Sequence, residues 1–76
     1  MINIELRLFA DLSRFLPKNS ENYSVNENIT VEELLLQLKI DIDQAKIIFI
    51  NGIKKDYSDR LKNGDRVGIF PPVGGG

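Results

Sequence analysis

One segment specifies a helix strongly, and it limits the folds that are open to the rest of this chain. Thr30 and Glu33 have the spacing of a capping box, in which each side chain binds the backbone N–H of the other residue. After Thr30, apolar residues recur at the i, i+3, i+4 and i+7 positions of an amphipathic helix: Val31, Leu34, Leu35 and Leu38. We therefore predict one main helix that begins at Thr30 and packs its apolar stripe against a sheet.

The segments on either side of this helix are patterned as strands. Residues 2–9 alternate, and one face of this predicted strand is formed by Ile2, Ile4, Leu6 and Leu8. Further strands are predicted at residues 22–26, 46–50, 53–55 and 65–70. Asn51-Gly52 favours a tight hairpin between two of them, and Asn63-Gly64 marks another turn.

A short helical turn and the order of the elements complete the predicted fold. Leu12, Phe15 and Leu16 have helical spacing, and Pro17 stops the pattern. The full order is strand, strand, helix, strand, short strand, strand. Because one helix can cover one face of one sheet, this order predicts an α+β domain in which the helix packs on a mixed sheet of about five strands. The order is similar to that of the β-grasp, or ubiquitin-like, fold, whose first and last strands lie parallel and adjacent at the sheet centre.

Composition argues against several classes of function. The 76 residues suffice for one domain with one apolar core. The sequence contains no cysteine and no histidine, so it lacks thiol nucleophiles, the commonest general base and the commonest metal ligands. We expect neither intrinsic catalysis nor a bound metal. The 10 basic and 11 acidic residues are interspersed, which predicts no nucleic-acid or membrane partner. Met1 leads directly into a strand pattern without a signal peptide, so we expect a cytoplasmic protein.

The last residues differ in character from the predicted domain at residues 1–70. Pro71 and Pro72 cannot donate strand hydrogen bonds, so we expect residues 71–76 to leave the sheet as a flexible tail. The tail ends in three residues without side chains, Gly74, Gly75 and Gly76. A chain this slim can thread a narrow tunnel in a partner protein. The competing interpretation is a terminus that is simply disordered, as many chain ends are.

Domain and tail together resemble the MoaD/ThiS family of sulfur carriers, which includes the small subunit of molybdopterin synthase and its relative in thiamine synthesis. The resemblance covers essentially the whole chain. It rests on Leu8-Phe9-Ala10, Thr30-Val31, Asn51-Gly52, Asn63-Gly64-Asp65-Arg66-Val67 and Phe70-Pro71-Pro72-Val73 followed by the glycines. The Phe-Pro-Pro-Val segment is closer to the molybdopterin branch than to the thiamine branch. Gly74 departs from the family pattern, in which alanine or serine often precedes the terminal glycine pair.

The resemblance implies a carrier whose reactions are catalysed by partner enzymes. An adenylyltransferase related to ubiquitin-activating enzymes would consume ATP to adenylate Gly76, and a sulfur transfer would convert this terminus to a thiocarboxylate. The thiocarboxylate would then supply sulfur at the large subunit of molybdopterin synthase or at another sulfur-accepting synthase. Gly75, preceded by Gly74, would form the slender approach to the partner's catalytic groups. The chain itself would bind no cofactor.

Alternation along the strands also predicts where partners dock. If Leu8 and Ile69 point into the core, Phe9 and Phe70 lie on the opposite face, at strand ends that the β-grasp arrangement brings together. Exposed aromatic side chains often mark partner sites. The predicted docking residues are Phe9, Phe49, Phe70, Pro71, Pro72 and Val73. The alternative is that Phe9 or Phe70 packs under residues 10–16 as peripheral core.

Four functions remain open from the sequence. The first is a sulfur carrier for molybdopterin synthesis, and the second is a sulfur carrier for thiamine, a thiolated tRNA base or an amino acid. The third is a ubiquitin-like modifier that forms an isopeptide bond between Gly76 and a lysine. The fourth is an interaction domain with an inert tail. The same activated terminus serves the first three, so the recipient determines which of them applies.

Overall fold

The computed structural model describes residues 1–72, and a mixed sheet dominates this part of the chain. Its strands and α-helix are β1 (Ile2–Leu8), β2 (Tyr23–Val25), α1 (Val31–Leu38), β3 (Ile47–Ile50), β4 (Ile53–Lys55) and β5 (Arg66–Phe70). Short 3₁₀ helices lie in the connections, at Ala10–Phe15, Ser20–Asn22 and Ile42–Gln44. The predicted α+β arrangement, with about five strands and one main helix, is therefore confirmed.

The first and last strands of the chain lie side by side near the centre of the sheet. The strand order is β2-β1-β5-β3-β4, and β1 and β5 are parallel neighbours. Leu6 lies opposite Val67 and Leu8 opposite Ile69 in this pair. The other pairings, of β2 with β1 and of β3 with both β5 and β4, are antiparallel. Residues near the end of β1 are thereby brought beside residues near the end of β5.

The core lies between α1 and one face of the sheet. All four residues of the predicted helical stripe are buried, with exposed fractions between 0% and 8%. They pack against the inward residues of the central strands, which include Ile4, Leu6, Ile48, Val67 and Ile69. Within residues 1–72, every buried side chain belongs to an apolar residue. Burial of this aliphatic surface is the main favourable contribution to folding.

The capping box forms as predicted and fixes the start of α1. The backbone N–H of Glu33 donates to the hydroxyl of Thr30 over 3.2 Å, and the N–H of Thr30 donates to the Glu33 carboxylate over 2.9 Å. Hydrogen bonds from the Thr30 backbone and side chain to this carboxylate lower the pKa of Glu33. At the other end, Lys39 takes a left-handed conformation with φ of 63° and closes the helix.

Several strand boundaries differ from the predictions by one residue, and β3 likewise begins one residue late. Asn22 belongs to a turn, in which its N–H donates to the carbonyl of Asn19, so the edge strand β2 is shorter than predicted. Asp65 belongs to the turn before β5, because its carboxylate accepts from the backbone of Lys62 and from the amide of Asn51. Strand β1 ends one residue early, at Leu8.

The predicted helical turn over 10–16 is a 3₁₀ helix that ends at Phe15. Leu12 is buried in the core, whereas Leu16 follows the helix and is 40% exposed. A 3₁₀ helix has three residues per turn, so its tighter winding changes which residues share a face. Strand β5 ends at Phe70, and the division into a domain at 1–70 and a flexible tail at 71–76 stays a prediction, because residues 73–76 lie outside the described part of the chain.

Candidate functional site

The face of the sheet that α1 does not cover carries an unusual row of side chains, and we call it the outer face. Strand register places Arg7, Gly68, Phe49 and Lys54 next to one another across four neighbouring strands. Phe70 follows two residues after Gly68 and Phe9 two residues after Arg7, so both point to this same face. The outer face thus combines aromatic rings with basic groups around a position that has no side chain.

Three phenylalanines form a contiguous aromatic cluster: Phe9, Phe49 and Phe70. The rings of Phe9 and Phe70 are stacked, with centroids 4.2 Å apart and planes 3° from parallel. Phe49 meets Phe70 edge to face, with centroids 5.8 Å apart and an interplanar angle of 82°. Each such pair contributes about 0.5–1.5 kcal/mol beyond its buried area. The cluster is therefore ordered by its own contacts, although Phe9 remains 38% exposed.

Backbone pairing explains why these rings meet. The N–H of Phe9 donates to the carbonyl of Ile69 over 3.2 Å, which extends the β1–β5 pairing by one step beyond the last strand residue. Ala10 then takes a left-handed conformation with φ of 54° and leads the chain away from the sheet. The carbonyl of Phe70 accepts from the N–H of Lys46 over 3.0 Å. Both phenylalanines are consequently held at the point where β5 ends and the chain continues into Pro71.

Gly68 makes a shallow depression beneath the aromatic cluster. A Cβ atom at this position would lie 3.5 Å from Cε2 of Phe9 and 3.9 Å from Cε1 of Phe70, which are ordinary contact distances. The depression is lined by Arg7, Phe9, Phe49, Gly52, Arg66, Val67, Gly68 and Phe70. It is apolar at its floor and can accept one aliphatic or aromatic side chain from a partner.

The rim of the depression is mainly basic. Arg7 and Arg66 line it directly, and Lys54 lies beside Phe49 in the register of β3 and β4. Glu5 is the acidic residue opposite Arg66, and its carboxylate is 2.7 Å from Nε of Arg7. This pair is exposed and adds little stability. The arrangement favours a partner surface that offers apolar anchors and carboxylates.

The structure brings together the described members of the predicted docking set. Phe9, Phe49 and Phe70 form the cluster, Pro71 next to it is half-buried, and Pro72 is exposed. Neither Phe9 nor Phe70 belongs to the buried core or to the partly buried side chains packed against it, which favours the docking interpretation over the peripheral-core one. The predictions for Val73, Gly74, Gly75 and Gly76 concern residues outside the described part of the chain. The docking role of all these residues stays a prediction.

Sequence reasoning missed Gly68 and the rim arginines Arg7 and Arg66. The alternation of side chains along a strand could have indicated that both lie on the outer face, because Gly68 shares a strand face with Phe70, and Arg7 shares one with Phe9. Their meaning depends on strand register, which only the folded chain shows. Among residues 1–72 no cluster of acidic side chains could hold a metal ion. Over the same residues, no helix is long and apolar enough to cross a membrane.

Comparison with known proteins identifies the family. The model of the ThiS family matches residues 6–76, which is nearly the whole chain. The chain belongs to the ThiS family. This family, with its MoaD relatives, consists of ubiquitin-like sulfur carriers and modifiers, and the resemblance seen in the sequence is confirmed.

Named relatives of this ThiS-family chain come from several biological contexts. It is 29% identical to small archaeal modifier protein 3 of Haloferax volcanii over 92 residues, which covers 99% of this chain and 100% of the relative. A Pyrococcus furiosus structure with the provisional name molybdopterin converting factor subunit 1 superposes with a TM-score of 0.72 at 23% identity, covering 96% of this chain and all of the other. The thiamine biosynthesis protein ThiS of Geobacter metallireducens superposes with a TM-score of 0.64 at 23% identity, with 99% and 100% covered. These similarities establish the β-grasp fold of this ThiS-family chain.

Proposed function

We propose that this chain carries sulfur for molybdopterin synthesis on the carboxyl group of Gly76. The observation that carries the proposal is the family match, which extends through the terminal glycines. The Phe70-Pro71-Pro72-Val73 segment and the name of the Pyrococcus furiosus structure favour the molybdopterin branch. The ordered aromatic cluster supports a docking role, because it lies where β5 ends and the tail begins.

The chemistry starts from a carboxylate that is a poor electrophile. An oxygen of the Gly76 carboxylate attacks the α-phosphorus of ATP, pyrophosphate leaves, and an acyl-adenylate forms. A sulfide-equivalent nucleophile then attacks the acyl carbon, and AMP leaves to give the thiocarboxylate. Its sulfur is the nucleophile that the recipient enzyme uses. Because the sequence has no histidine or cysteine, the partners supply the acid, base and thiol groups for these steps.

Two kinds of partner follow from this proposal. The first is an adenylyltransferase related to ubiquitin-activating enzymes, and the second is the large subunit of molybdopterin synthase or another sulfur-accepting synthase. Each docks on the outer face through the aromatic cluster, with Pro71, Pro72 and Val73 directing the tail away from the sheet. Gly74 and Gly75 let the backbone pass the partner's catalytic groups. We expect this cycle in the cytoplasm, where ATP is available.

A second candidate function is supported by the curated relative. The protein from Haloferax volcanii that is 29% identical to this chain is named as a modifier protein. On that alternative, the amine of a lysine attacks the same acyl-adenylate and AMP leaves, which produces an isopeptide bond. Carriage of sulfur for thiamine, tRNA thiolation or amino-acid synthesis remains a third candidate, since it uses the same thiocarboxylate.

The intact mass of the chain from its native host tests these functions. A carrier gains the mass difference between sulfur and oxygen, and the gain disappears in a variant that lacks Gly76. A modifier instead gives branched peptides, in which residues of this tail are attached to a lysine of another protein. If the chain stays unmodified in the presence of the host's activating enzyme, ATP and a sulfur donor, and the host yields no branched peptides that contain this tail, all three candidates are wrong.

The recipient is identified by a second measurement. Purified thiocarboxylate chain is mixed with the large subunit of molybdopterin synthase and the pterin precursor, and dithiolene product is measured. The same preparation with a thiazole synthase and its substrates serves as the matched comparison. Product from the molybdopterin synthase reaction alone supports the molybdopterin branch, whereas product from the thiazole synthase reaction alone contradicts it.

A further inference from the structure

A second apolar surface lies on the side of the molecule opposite the outer face. Leu36 interrupts the amphipathic pattern of α1 and is 72% exposed, and Ile42 in the following 3₁₀ helix is 41% exposed. Both line a groove whose other members are Glu32, Leu35, Ile40 and Asp41. We call the exposed residues Glu32, Leu36, Asp41 and Ile42 the helix-side patch. Nothing in the packing of this domain requires a leucine at position 36.

The helix-side patch and the outer face are opposite in charge. Carboxylates of Glu32 and Asp41 flank the exposed aliphatic side chains of the patch. The outer face presents Arg7 and Arg66 beside the aromatic cluster, with Lys54 next to Phe49, and these three basic groups outnumber the single carboxylate of Glu5 beside them. Since the patch is on the exposed side of α1 and the sheet lies between α1 and the outer face, the two surfaces point in opposite directions, and one molecule cannot bring its own patch to its own outer face.

We propose that the helix-side patch binds the outer face of a second copy of this chain. Leu36 and Ile42 would cover the depression over Gly68, while Glu32 and Asp41 would approach Arg66 and the neighbouring basic groups. The charges favour this contact between different surfaces over a contact between two identical surfaces. Contact between two outer faces would oppose arginines to arginines, and contact between two helix-side patches would oppose carboxylates to carboxylates.

The contact is heterologous, because different surfaces of the two copies meet. Each added copy leaves one outer face and one helix-side patch free, so association continues beyond a dimer as concentration rises. The contact involves few apolar groups and should be weak, with a dissociation constant on the order of 1 mM, so we expect assembly at about 1 mM and a monomer at about 10 µM. Self-association also covers the aromatic cluster, and it therefore competes with any partner that docks there.

Sedimentation equilibrium between these two concentrations tests the proposal. The weight-average mass of the unaltered chain should rise above that of a dimer at the high concentration and fall when NaCl is added, since salt screens exposed charges. Leu36→Lys should keep the chain monomeric, because it places a positive charge opposite Arg66. Gln37→Lys is the matched control: it adds the same charge to the same helix one residue away, where the side chain lies on the side of Tyr23. The control should associate like the unaltered chain.

Mixing two defective variants provides the sharper test. Leu36→Lys disables the helix-side patch, and a chain with both Lys54→Ser and Arg66→Ser removes the basic groups of the outer face without adding a carboxylate that could pair with the new lysine. Each variant alone should be monomeric, whereas an equimolar mixture should form a one-to-one dimer that does not grow, since only one complementary pair of surfaces remains. Circular dichroism melting curves establish that each variant is folded before it is sedimented.

Three results would overturn the proposal. The first is a monomer for the unaltered chain at about 1 mM, a concentration at which even weak interfaces associate. The second is equal loss of association in Leu36→Lys and Gln37→Lys, because this would reflect net charge alone. The third is a failure of the expected contact, either as a mixture that stays monomeric, which would show that the two surfaces do not bind each other, or as an unaltered chain that stops at a dimer, which would indicate a symmetric contact. None of these readouts depends on sulfur chemistry, so the proposed function can fail or hold independently.

Discussion

The two faces of the sheet are built from different side chains, although they alternate along the same strands. The face under α1 is aliphatic and closed: Ile4, Leu6, Ile48 and Ile69 are each at most 3% exposed. The outer face carries phenylalanines, arginines and one glycine, and its Phe9 is 38% exposed. Aliphatic packing without polar atoms serves stability, whereas ordered and accessible rings beside charges are typical of binding surfaces.

The two faces therefore supply two different properties of this small domain: the inner face supplies stability, and the outer face is proposed to supply affinity for partners. Changes on the inner face should alter the free energy of unfolding and leave the affinity of the folded chain for partners unchanged. Changes on the outer face should alter the affinity for partners and have a smaller effect on the free energy of unfolding. The four predictions that follow test this separation.

The largest expected effect belongs to the inner face. Leu34 is fully buried in α1, so Leu34→Ala should reduce the free energy of unfolding by about 2–5 kcal/mol through lost burial and the cavity left behind. Urea unfolding followed by circular dichroism measures the change. Leu36→Ala is the control on the same helix: that side chain is 72% exposed, and its loss should change stability by less than about 0.5 kcal/mol. Similar losses for both variants would contradict the burial described for α1.

On the outer face, Phe70 contacts both other rings of the aromatic cluster and should be the binding hot spot. Phe70→Ala should raise the dissociation constant for the activating enzyme by at least about thirtyfold, which corresponds to about 2 kcal/mol. Its free energy of unfolding should fall by less than that. Isothermal titration calorimetry and urea unfolding of the same preparation give the two quantities.

Phe15→Ala is the matched control for this prediction. Phe15 is another half-buried phenylalanine, but it packs against the core from the 3₁₀ helix after β1. Its removal should lower stability and leave the dissociation constant unchanged for the folded fraction. If Phe70→Ala reduces stability and binding to the same degree, Phe70 serves as core and the separation between the two faces is wrong.

Gly68 allows the outer face to be altered without removing any contact. Gly68→Ala should keep its affinity within about twofold, because a Cβ atom fits there at ordinary contact distance. Gly68→Leu fills the depression and should weaken binding of the activating enzyme about tenfold, while stability stays equal or rises, since glycine weakens a strand interior by about 0.5–1 kcal/mol relative to alanine. Equal affinities for the leucine and alanine variants would show that no partner side chain enters the depression.

Much of the inner face could be predicted from the sequence because its signals are local. The capping box of Thr30 and Glu33 fixes the start of α1, and the spacing of its leucines fixes the buried stripe. Asn51-Gly52 likewise specifies the hairpin between β3 and β4, where both residues take the positive φ angles that such turns require. Each of these signals lies within a few residues of the element it determines.

The outer face could be predicted only in part, because its geometry depends on residues far apart in the chain. The stack of Phe9 on Phe70 requires the parallel pairing of β1 with β5, which we took from the resemblance to the β-grasp fold. Loop residues were missed for the same reason. Ile40, Ala45 and Leu61 are buried in the core, yet they lie in segments without periodicity, and only tertiary packing gives them that place.

The smallest expected effect concerns the capping box, which holds the start of the helix that covers the inner face. The pKa of Glu33 is lowered below 4.5 in the folded chain, chiefly by the hydrogen bond from the Thr30 backbone and next by that from its hydroxyl. A lowered folded pKa means that this carboxylate stabilises the fold at pH values above its unfolded pKa, and that the contribution is lost as pH falls through the folded pKa.

Glu33→Gln keeps an acceptor for Thr30 but removes the charge. The variant should therefore be slightly less stable than the unaltered chain at neutral pH, and the two urea midpoints should converge as pH falls below the unfolded pKa and through the lowered folded pKa. The affinity for the activating enzyme at neutral pH should not change, because the capping box lies on the helix side of the sheet; a loss of affinity without a loss of stability would place Glu33 in the binding surface instead.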